Sequence, residues 1–358
     1  MSDGIYLSVV VPIRNEEKHI AQTLAAMASQ DYPKSRYEIL VVDGRSTDRT
    51  RDVVQAFLRT HPEVNVRLLD NPRKWSSSAR NIGVGAAAGR LIAVIDGHVR
   101  IPDGRLFAAI ERLREEHGAL CLARPAPLVV PELDGGMPLW IALARKSWLG
   151  HSCNSYIYAS YEGFVDPTSS GFAYAREVFE RVGYFDESFD AAEDCEFHHR
   201  LKQAGIRAYT SPALTIYSFP RATLGGLFRQ TMRYGIGRAR MVRKYRGALT
   251  KETLIPPAIF LLFALAPLVL AASFWRPMLD WLYGPPLAAY LSLVLGTGFA
   301  CSLRRRRLLA GLAVAAAVCT THLGLGWGFL KTVFLPRSVL TRRAAVGNPP
   351  QCASIQWR

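Results

Sequence analysis

Cysteines and acidic residues are both scarce in this sequence, and each shortage removes a class of protein. Six cysteines stand at positions 121, 153, 195, 301, 319 and 352 without paired metal-ligand spacing, which argues against a structural zinc framework. A reduced setting without disulfides accounts for them. Only 29 acids face 44 lysines and arginines, a formal charge of +15. No internal repeat is visible. Met1 to Tyr6, ahead of the first apolar run, is too short and polar for a signal peptide. Apolar residues are spread too unevenly for one globule.

The unevenness lies in the last third. From Leu254 to Trp275 there is no charged residue, a stretch long enough to cross a hydrocarbon core of about 30 Å. Two more apolar segments follow, Pro285 to Leu303 and Leu308 to Leu335. The first two read as spans. The third is broken by glycines, carries His322 and Lys331, and reads as a crossing, a re-entrant or an interfacial segment. Arg229, Arg233, Arg238, Arg240, Arg243, Lys244, Arg246 and Lys251 crowd before the first span, and Arg304 to Arg307 sit between the second and third. Clusters so placed fit the positive-inside rule and anionic headgroups better than nucleic acid. They put a large N-terminal domain on the cytoplasmic side. The expected division is 1–250 for that domain, 251–340 for a membrane region of two to three transmembrane or re-entrant helices, and 341–358 for a polar tail.

The first half alternates short β-branched runs with helical stretches, the pattern of a parallel or mainly parallel α/β sheet. Strands are expected at Leu7–Pro12, Glu38–Asp43, Val64–Leu69 and Leu91–Asp96, and helices at Glu16–Gln30, Asp48–Thr60 and Ser77–Ala88. Helices are also expected at Glu177–Val182, Asp194–Ala204 and Leu224–Arg246. The aromatic, glycine-rich stretch from about Glu132 to Thr168 reads as acceptor-side loops. Ligands of open α/β sheets bind beyond the carboxyl ends of the strands, so Arg14 to Glu16, Asp43 to Asp48 and Asp96 to His98 should meet in one crevice.

Three constellations carry chemistry. In Val94-Ile-Asp-Gly-His98, residues two apart in an extended segment point the same way, so Asp96 and His98 can address one divalent cation, leaning toward Mn²⁺ over Mg²⁺. A strand-ending Asp with an exposed His in a turn is the plainer alternative. In Ala192-Glu-Asp-Cys-Glu-Phe-His-His-Arg200, Glu193 and Asp194 offer a carboxylate base, or ordinary helix N-terminal acidity. His198 and His199 read as solvated. Gln230, Arg233 and Tyr234 can grip a diphosphate and support a sugar, amid arginines that suit a membrane surface. Asp43, Ser46 and Asp48, with Lys74, Arg80 and Asn81, suit a nucleotide pocket, although Asp48 also suits a helix cap.

Taken in order, SVVVPIRNEE, SQDYPKSRYEILVVDGRSTDRT, SSSARNIGVGAAAGRLIAVIDGH, VGYFDESFDAAEDCEFHHRLKQAG and QTMRYG resemble the family-2 glycosyltransferases of the GT-A fold over roughly Leu7 to Arg246. The Asp-x-His variant and THLGLGWGFLK look most like the ExoA-type transferases of succinoglycan and related exopolysaccharide assembly, which extend a polyprenyl-diphosphate-linked sugar. The resemblance implies a Rossmann-like mixed sheet with C-terminal transmembrane helices in a bacterial inner membrane, other polysaccharide-assembly proteins as partners, and a nucleotide-sugar donor, UDP-linked. It implies that Pro12, Glu16, Asp43, Asp48, Arg80 and Asp96 bind the donor nucleotide and that Asp96 and His98 hold the metal. It further implies Asp194 as catalytic base supported by Glu193, and Gln230, Arg233 and Tyr234 as the acceptor and diphosphate element. His98 stands where the usual motif has a second Asp, and Tyr234 where it has Trp; the latter, with few spans, argues against a processive synthase. The expected reaction is direct displacement with inversion. Two alternatives remain at this stage: transfer to polyprenyl monophosphate, and a non-catalytic sugar-nucleotide or lipid-binding scaffold.

Overall fold

A computed structural model of the protein describes residues 4–129, 136–150, 156–158, 160–189, 191–303 and 307–334. Ten strands occur among them: β1 (Leu7–Ile13), β2 (Tyr37–Asp43), β3 (Val66–Asp70), β4 (Leu91–Val94), β5 (Val99–Arg100), β6 (Cys121–Ala123), β7 (Gly163–Val165), β8 (Gly171–Ala175), β9 (Ala208–Thr210) and β10 (Tyr217–Ser218). The helices that cover the sheet are α1 (Ile20–Ala28), α2 (Thr50–Thr60), α3 (Ser76–Ala86), α4 (Leu106–His117), α6 (Arg176–Val182) and α7 (Glu193–Gln203), while α5 (Met137–Lys146) packs on the C-terminal helices instead. Five more follow: α8 (Leu224–Lys244), α9 (Lys251–Ala264), α10 (Ala266–Ser273), α11 (Met278–Leu303) and α12 (Ala310–Phe334).

Eight strands form one sheet in the order β3-β2-β1-β4-β8-β6-β9-β7, and β5 pairs with β10 in a small antiparallel ribbon. β3, β2, β1 and β4 run parallel, as their apolar runs predict; β2 is buried at every position because helices cover both faces. The sheet then turns mixed. β8 lies antiparallel between β4 and β6, a placement the chain reaches only after some fifty intervening residues, beyond any local signal. The central carboxylate Glu38 is buried but accepts from Ser8 Oγ at 2.7 Å and from the Ala88 amide at 2.6 Å, so this polar group costs little. Phe179, Phe185 and Phe197 pack around Tyr174 and fix α6 and α7 to β8.

The apolar C-terminal region departs from the sequence expectation in two ways. The first segment, expected like the second to be a span, is bent by 45° between α9 and α10, because Pro267 in the first turn of α10 has no amide hydrogen to continue the helix and clashes with the preceding turn. The third segment, expected to be the least regular, is instead one continuous helix. By length and composition α11 and α12 are each able to cross a membrane. The C-terminal half of α12 lies against the basic α8, where glycines let the two backbones touch. A Cβ at Gly324 would press on Thr231 and Phe228, one at Gly328 on Met232, and one at Gly235 on Leu325. Small residues allow this approach, and the Arg243 guanidinium donates to the Val333 carbonyl at 2.9 Å at its end. His322, flagged in the sequence, hydrogen-bonds the Leu149 carbonyl and Tyr290. Cys121, Cys195, Cys301 and Cys319 are in no disulfide; Cys153 and Cys352 lie outside the described residues.

Candidate active site

The carboxyl ends of β1, β2 and β4 open on one crevice, and the loops there are tied to each other. The Asn15 side chain accepts from the Thr47 amide at 2.8 Å, the Asn15 amide donates to Ser46 Oγ at 2.9 Å, and the Glu16 amide to Thr50 Oγ1 at 2.7 Å. Non-glycine residues with left-handed backbone occur at Asn15, Arg45, Lys74 and Ala192. The first three follow β1, β2 and β3, and the fourth precedes α7. Such conformations cost about 1–3 kcal/mol each and persist only where the surroundings over-determine them.

Asp43, the last residue of β2, is fully buried; its carboxylate accepts from Ser46 Oγ at 2.6 Å and Arg51 Nη1 at 2.9 Å. Asp48 accepts from the Thr50 amide and hydroxyl one residue ahead of the N-cap position of α2, which Arg49 holds; these bonds outweigh its slight burial and hold its pKa below the ordinary Asp range. Pro12 sits in β1 beside Val42. Beyond β4, Gly97 must be glycine, since a Cβ would lie 2.6 Å from Ile13 Cγ2. The buried Thr23 hydroxyl donates to the Gly97 and Val99 carbonyls and fixes this turn. Asp96 and His98 flank this bend, which is not the extended segment expected, and the charge of Asp96 reaches the His98 ring. The structure adds that His98 Nδ1 is hydrogen-bonded to Glu16 Oε1 at 2.8 Å. Burial works against the imidazolium, but this bond and the charges of Asp96 and Glu16 prevail, so the His98 pKa lies above the usual value.

Across the crevice α7 begins at Glu193. Arg80, from α3, reaches Glu193 Oε1 at 3.3 Å and Asp96 Oδ1 at 3.8 Å and lies over the Phe185 ring. Burial opposes its charge, yet Glu193, Asp194 and Asp96 together raise its pKa. Asp194 Oδ1 accepts from the Cys195 amide at 2.8 Å. Burial favours its neutral form, and the charge of Arg80 with the Cys195 bonds outweighs that, so the Asp194 pKa is lowered. Asp96, Glu193 and Asp194 thus share one arginine. Gln230 and Tyr234 are joined on α8, amide to hydroxyl, at 3.1 Å, and Arg233 is exposed on the same helix.

Two expectations change. His198 is buried, hydrogen-bonded to the Tyr174 hydroxyl at 2.7 Å, because it lies on the inward stripe of α7 with Glu193 and Phe197. Burial pushes its pKa down to about 4. Asn81 does not face the crevice with Arg80; its amide holds the Phe185 backbone at both the carbonyl and the N–H, 2.9 Å each. Sequence reasoning missed Arg124, which follows β6, is half-buried and adds its charge near Asp96 and Asp194. It also missed Arg145 of α5, 3.4 Å from Gln230.

Residues 8–183 match glycosyl transferase family 2 and residues 132–331 match glycosyl transferase family group 2. The chain belongs to the family-2 glycosyltransferases. This transferase is 29% identical over 326 residues to the succinoglycan biosynthesis protein ExoA of Rhizobium meliloti, covering 90% of this chain and 93% of that one. It is 28% identical over 242 residues, 67% of this chain and 74% of the relative, to the dolichyl N-acetyl-alpha-D-glucosaminyl phosphate 3-beta-D-2,3-diacetamido-2,3-dideoxy-beta-D-glucuronosyltransferase of Methanococcus voltae. Among solved structures, the mannosyltransferase PcManGT from Pyrobaculum calidifontis in complex with GDP-Man and Mn2+ superposes with a TM-score of 0.52 at 20% identity, over 89% of this chain and 87% of that one. That likeness bears on the fold, which is GT-A.

Among the described residues no three His, Cys, Asp or Glu side chains converge as a complete cation cage. A carboxylate at Asp96 and an imidazole at His98 are nevertheless donor types that suit a divalent cation. Glu16 holds Nδ1 and leaves Nε2 as the ring's ligating atom, the carboxylate–histidine arrangement found behind metal ligands. Cations that accompany phosphates commonly take one or two protein ligands and fill the rest from phosphate and water.

Proposed function

We propose that this chain is an inverting hexosyltransferase of bacterial exopolysaccharide assembly. It moves a sugar such as glucose from a nucleotide-sugar donor, UDP-linked, to a polyprenyl-diphosphate-linked saccharide at the cytoplasmic face of the inner membrane. The observation that carries this reading is the gathering of Asp96, Glu193 and Asp194 around Arg80 at the sheet's carboxyl edge, with α8 joining that edge to α12. The two relatives add support, since one is named for succinoglycan biosynthesis and the other for a dolichyl-phosphate-linked sugar. In this reading residues 1–250 form the catalytic domain, 251–340 the membrane region and 341–358 a tail.

Asp194, ionised at neutral pH under the charge of Arg80, takes the proton of the acceptor hydroxyl as that oxygen attacks the anomeric carbon from the face opposite the leaving group. Glu193 keeps Arg80 in place. Pro12, Glu16, Asp43, Asp48, Arg80 and Asp96 border the donor nucleotide, Arg233 receives the departing diphosphate, and Gln230 and Tyr234 face the acceptor. Asp96 and His98 would hold a divalent cation, Mn²⁺ or Mg²⁺, whose charge neutralises that diphosphate.

The test is full-length protein in lipid nanodiscs, offered a panel of nucleotide sugars and a membrane lipid extract with and without Mn²⁺, with lipid products read by mass spectrometry. One donor should yield a lipid-linked product one sugar heavier, and Asp194→Asn should lower turnover by about 10²-fold or more. No transfer from any donor would refute the reading, and full activity in Asp194→Asn would point to a phosphate acceptor.

A further inference from the structure

Arg145 stands outside the machinery named so far. It occupies the last turn of α5, where its guanidinium lies beside the phenols of Tyr158 and Tyr234 and donates to Gln230 Oε1 at 3.4 Å. Gln230 in turn donates to the Tyr234 hydroxyl at 3.1 Å. Each of these partners is neutral, and among the described residues no carboxylate pairs with Arg145. A half-buried guanidinium held only by neutral groups is an unbalanced charge, and a built environment of phenols and an amide is one that an anion completes. The dipole at the C-terminus of α5 attracts a base in any case, but the exposed Lys146 beside it answers that demand while Arg145 turns inward.

The surroundings say which anion. Leu139, Trp140, Ile141 and Ala144 of α5 share one apolar cluster with Val294 of α11 and with Val314 and Val318 of α12. His322 Nε2 binds the Leu149 carbonyl at 2.9 Å and pins the turn after α5 to α12, and Trp148 in that turn is 60% exposed. Arg145 therefore lies where the membrane-helix cluster ends. In the other direction, Tyr234 is followed on α8 by Gly237, whose missing Cβ lets the helix touch Ala192, immediately before Glu193 and Asp194. A molecule bound at Arg145 has an apolar wall behind it and the carboxylate cluster ahead.

We infer that Arg145, with Tyr158, Tyr234 and Gln230, binds the phosphate of a lipid-linked acceptor, the apolar tail leaving along α5 and α12 and the sugar pointing toward Asp194. The inference rests on the proposed function for the identity of the acceptor. The donor diphosphate is the other source of phosphate, but it brings no tail to an apolar wall.

The experiment measures binding without turnover, so its failure is separate from a failure to transfer sugar. Full-length protein in phosphatidylcholine nanodiscs is titrated with farnesyl diphosphate, farnesol, inorganic diphosphate and UDP. Farnesyl diphosphate should bind at least 10-fold more tightly than farnesol or inorganic diphosphate. Arg145→Met should weaken it 10-fold or more while UDP affinity changes less than 2-fold, and Arg145→Lys should restore part of the loss. A diazirine-bearing farnesyl diphosphate should label peptides from 137–150 or 224–244 of the unmodified protein, which decides the matter even where a variant misfolds. Unchanged farnesyl diphosphate binding in Arg145→Met, an equal loss of UDP binding, or labelling confined to other peptides would overturn the inference.

Discussion

Replacing Gly235 by alanine tests whether the seam between α8 and α12 sets the geometry of catalysis. A Cβ there would lie 2.9 Å from the Leu325 carbonyl carbon and 3.0 Å from the Phe329 nitrogen, with the Leu325 oxygen nearer still. All three are backbone atoms, so no rotamer change relieves the clash. Ordinary contact is regained only if the helices part by roughly an ångström along a seam that Gly324 and Gly328 also line. Overpacking of this kind costs about 1–3 kcal/mol. The displacement is also passed to the site, because Gly237, two residues on, holds α8 against Ala192 at the start of α7. Misplacement by about an ångström at reacting groups lowers rate on the order of 10²-fold. The expected result for Gly235→Ala is a lower thermal midpoint in detergent and a large fall in kcat with little change in donor KM. Gly85→Ala is the control, since a Cβ at Gly85 meets nothing within 4 Å. Wild-type stability and turnover in Gly235→Ala, or an equal loss in Gly85→Ala, would show that the seam does not position the site.

Two further outcomes follow from the charges. His198 is held neutral with a pKa of about 4 against 6.5 when unfolded, so the unfolded chain binds the extra proton as pH falls through that window; stability should drop between pH 6.5 and 4 by about 3 kcal/mol, and His198→Gln should flatten that slope in pH-dependent melting curves. An unflattened slope would place the dependence elsewhere. Arg80→Met leaves Glu193 buried without its cation and should destabilise by about 3–5 kcal/mol. It should also raise the Asp194 pKa, moving the acid limb of the kcat/KM profile to higher pH; an unmoved limb would mean that Asp194 does not titrate in the rate.

The N-terminal half of the sheet is legible because its signals are local. Each of β1 to β4 is an apolar run ending in polar residues, and the parallel order follows from alternation with helices. The part that follows is not, since β8 pairs with strands far from it in sequence and α5 is a short helix inside an aromatic stretch with no clean period. His198 was misread for a related reason: adjacent histidines look solvated, and only the packing of α7 on Tyr174 separates the buried one from its neighbour. The bend after Ala264 is signalled by Pro267, but composition alone makes that segment read as one straight span. Asp96, His98 and Arg80 were legible as chemistry; that Glu16 holds His98 depends on a turn closing across two strands.

The seam between α8 and α12 also bears on the order in which the protein comes into being. A ribosome delivers α8 well before α12, so the helix carrying Gln230, Arg233 and Tyr234 waits with its glycine-lined face uncovered until the last apolar segment has been made and inserted. A chain stopped at residue 250 would retain every candidate catalytic side chain and lack the partner that seats them. Packing of α12 on α8 is then a late step in completing the candidate site, and a chain lacking α12 would leave that face of α8 without its backbone partner.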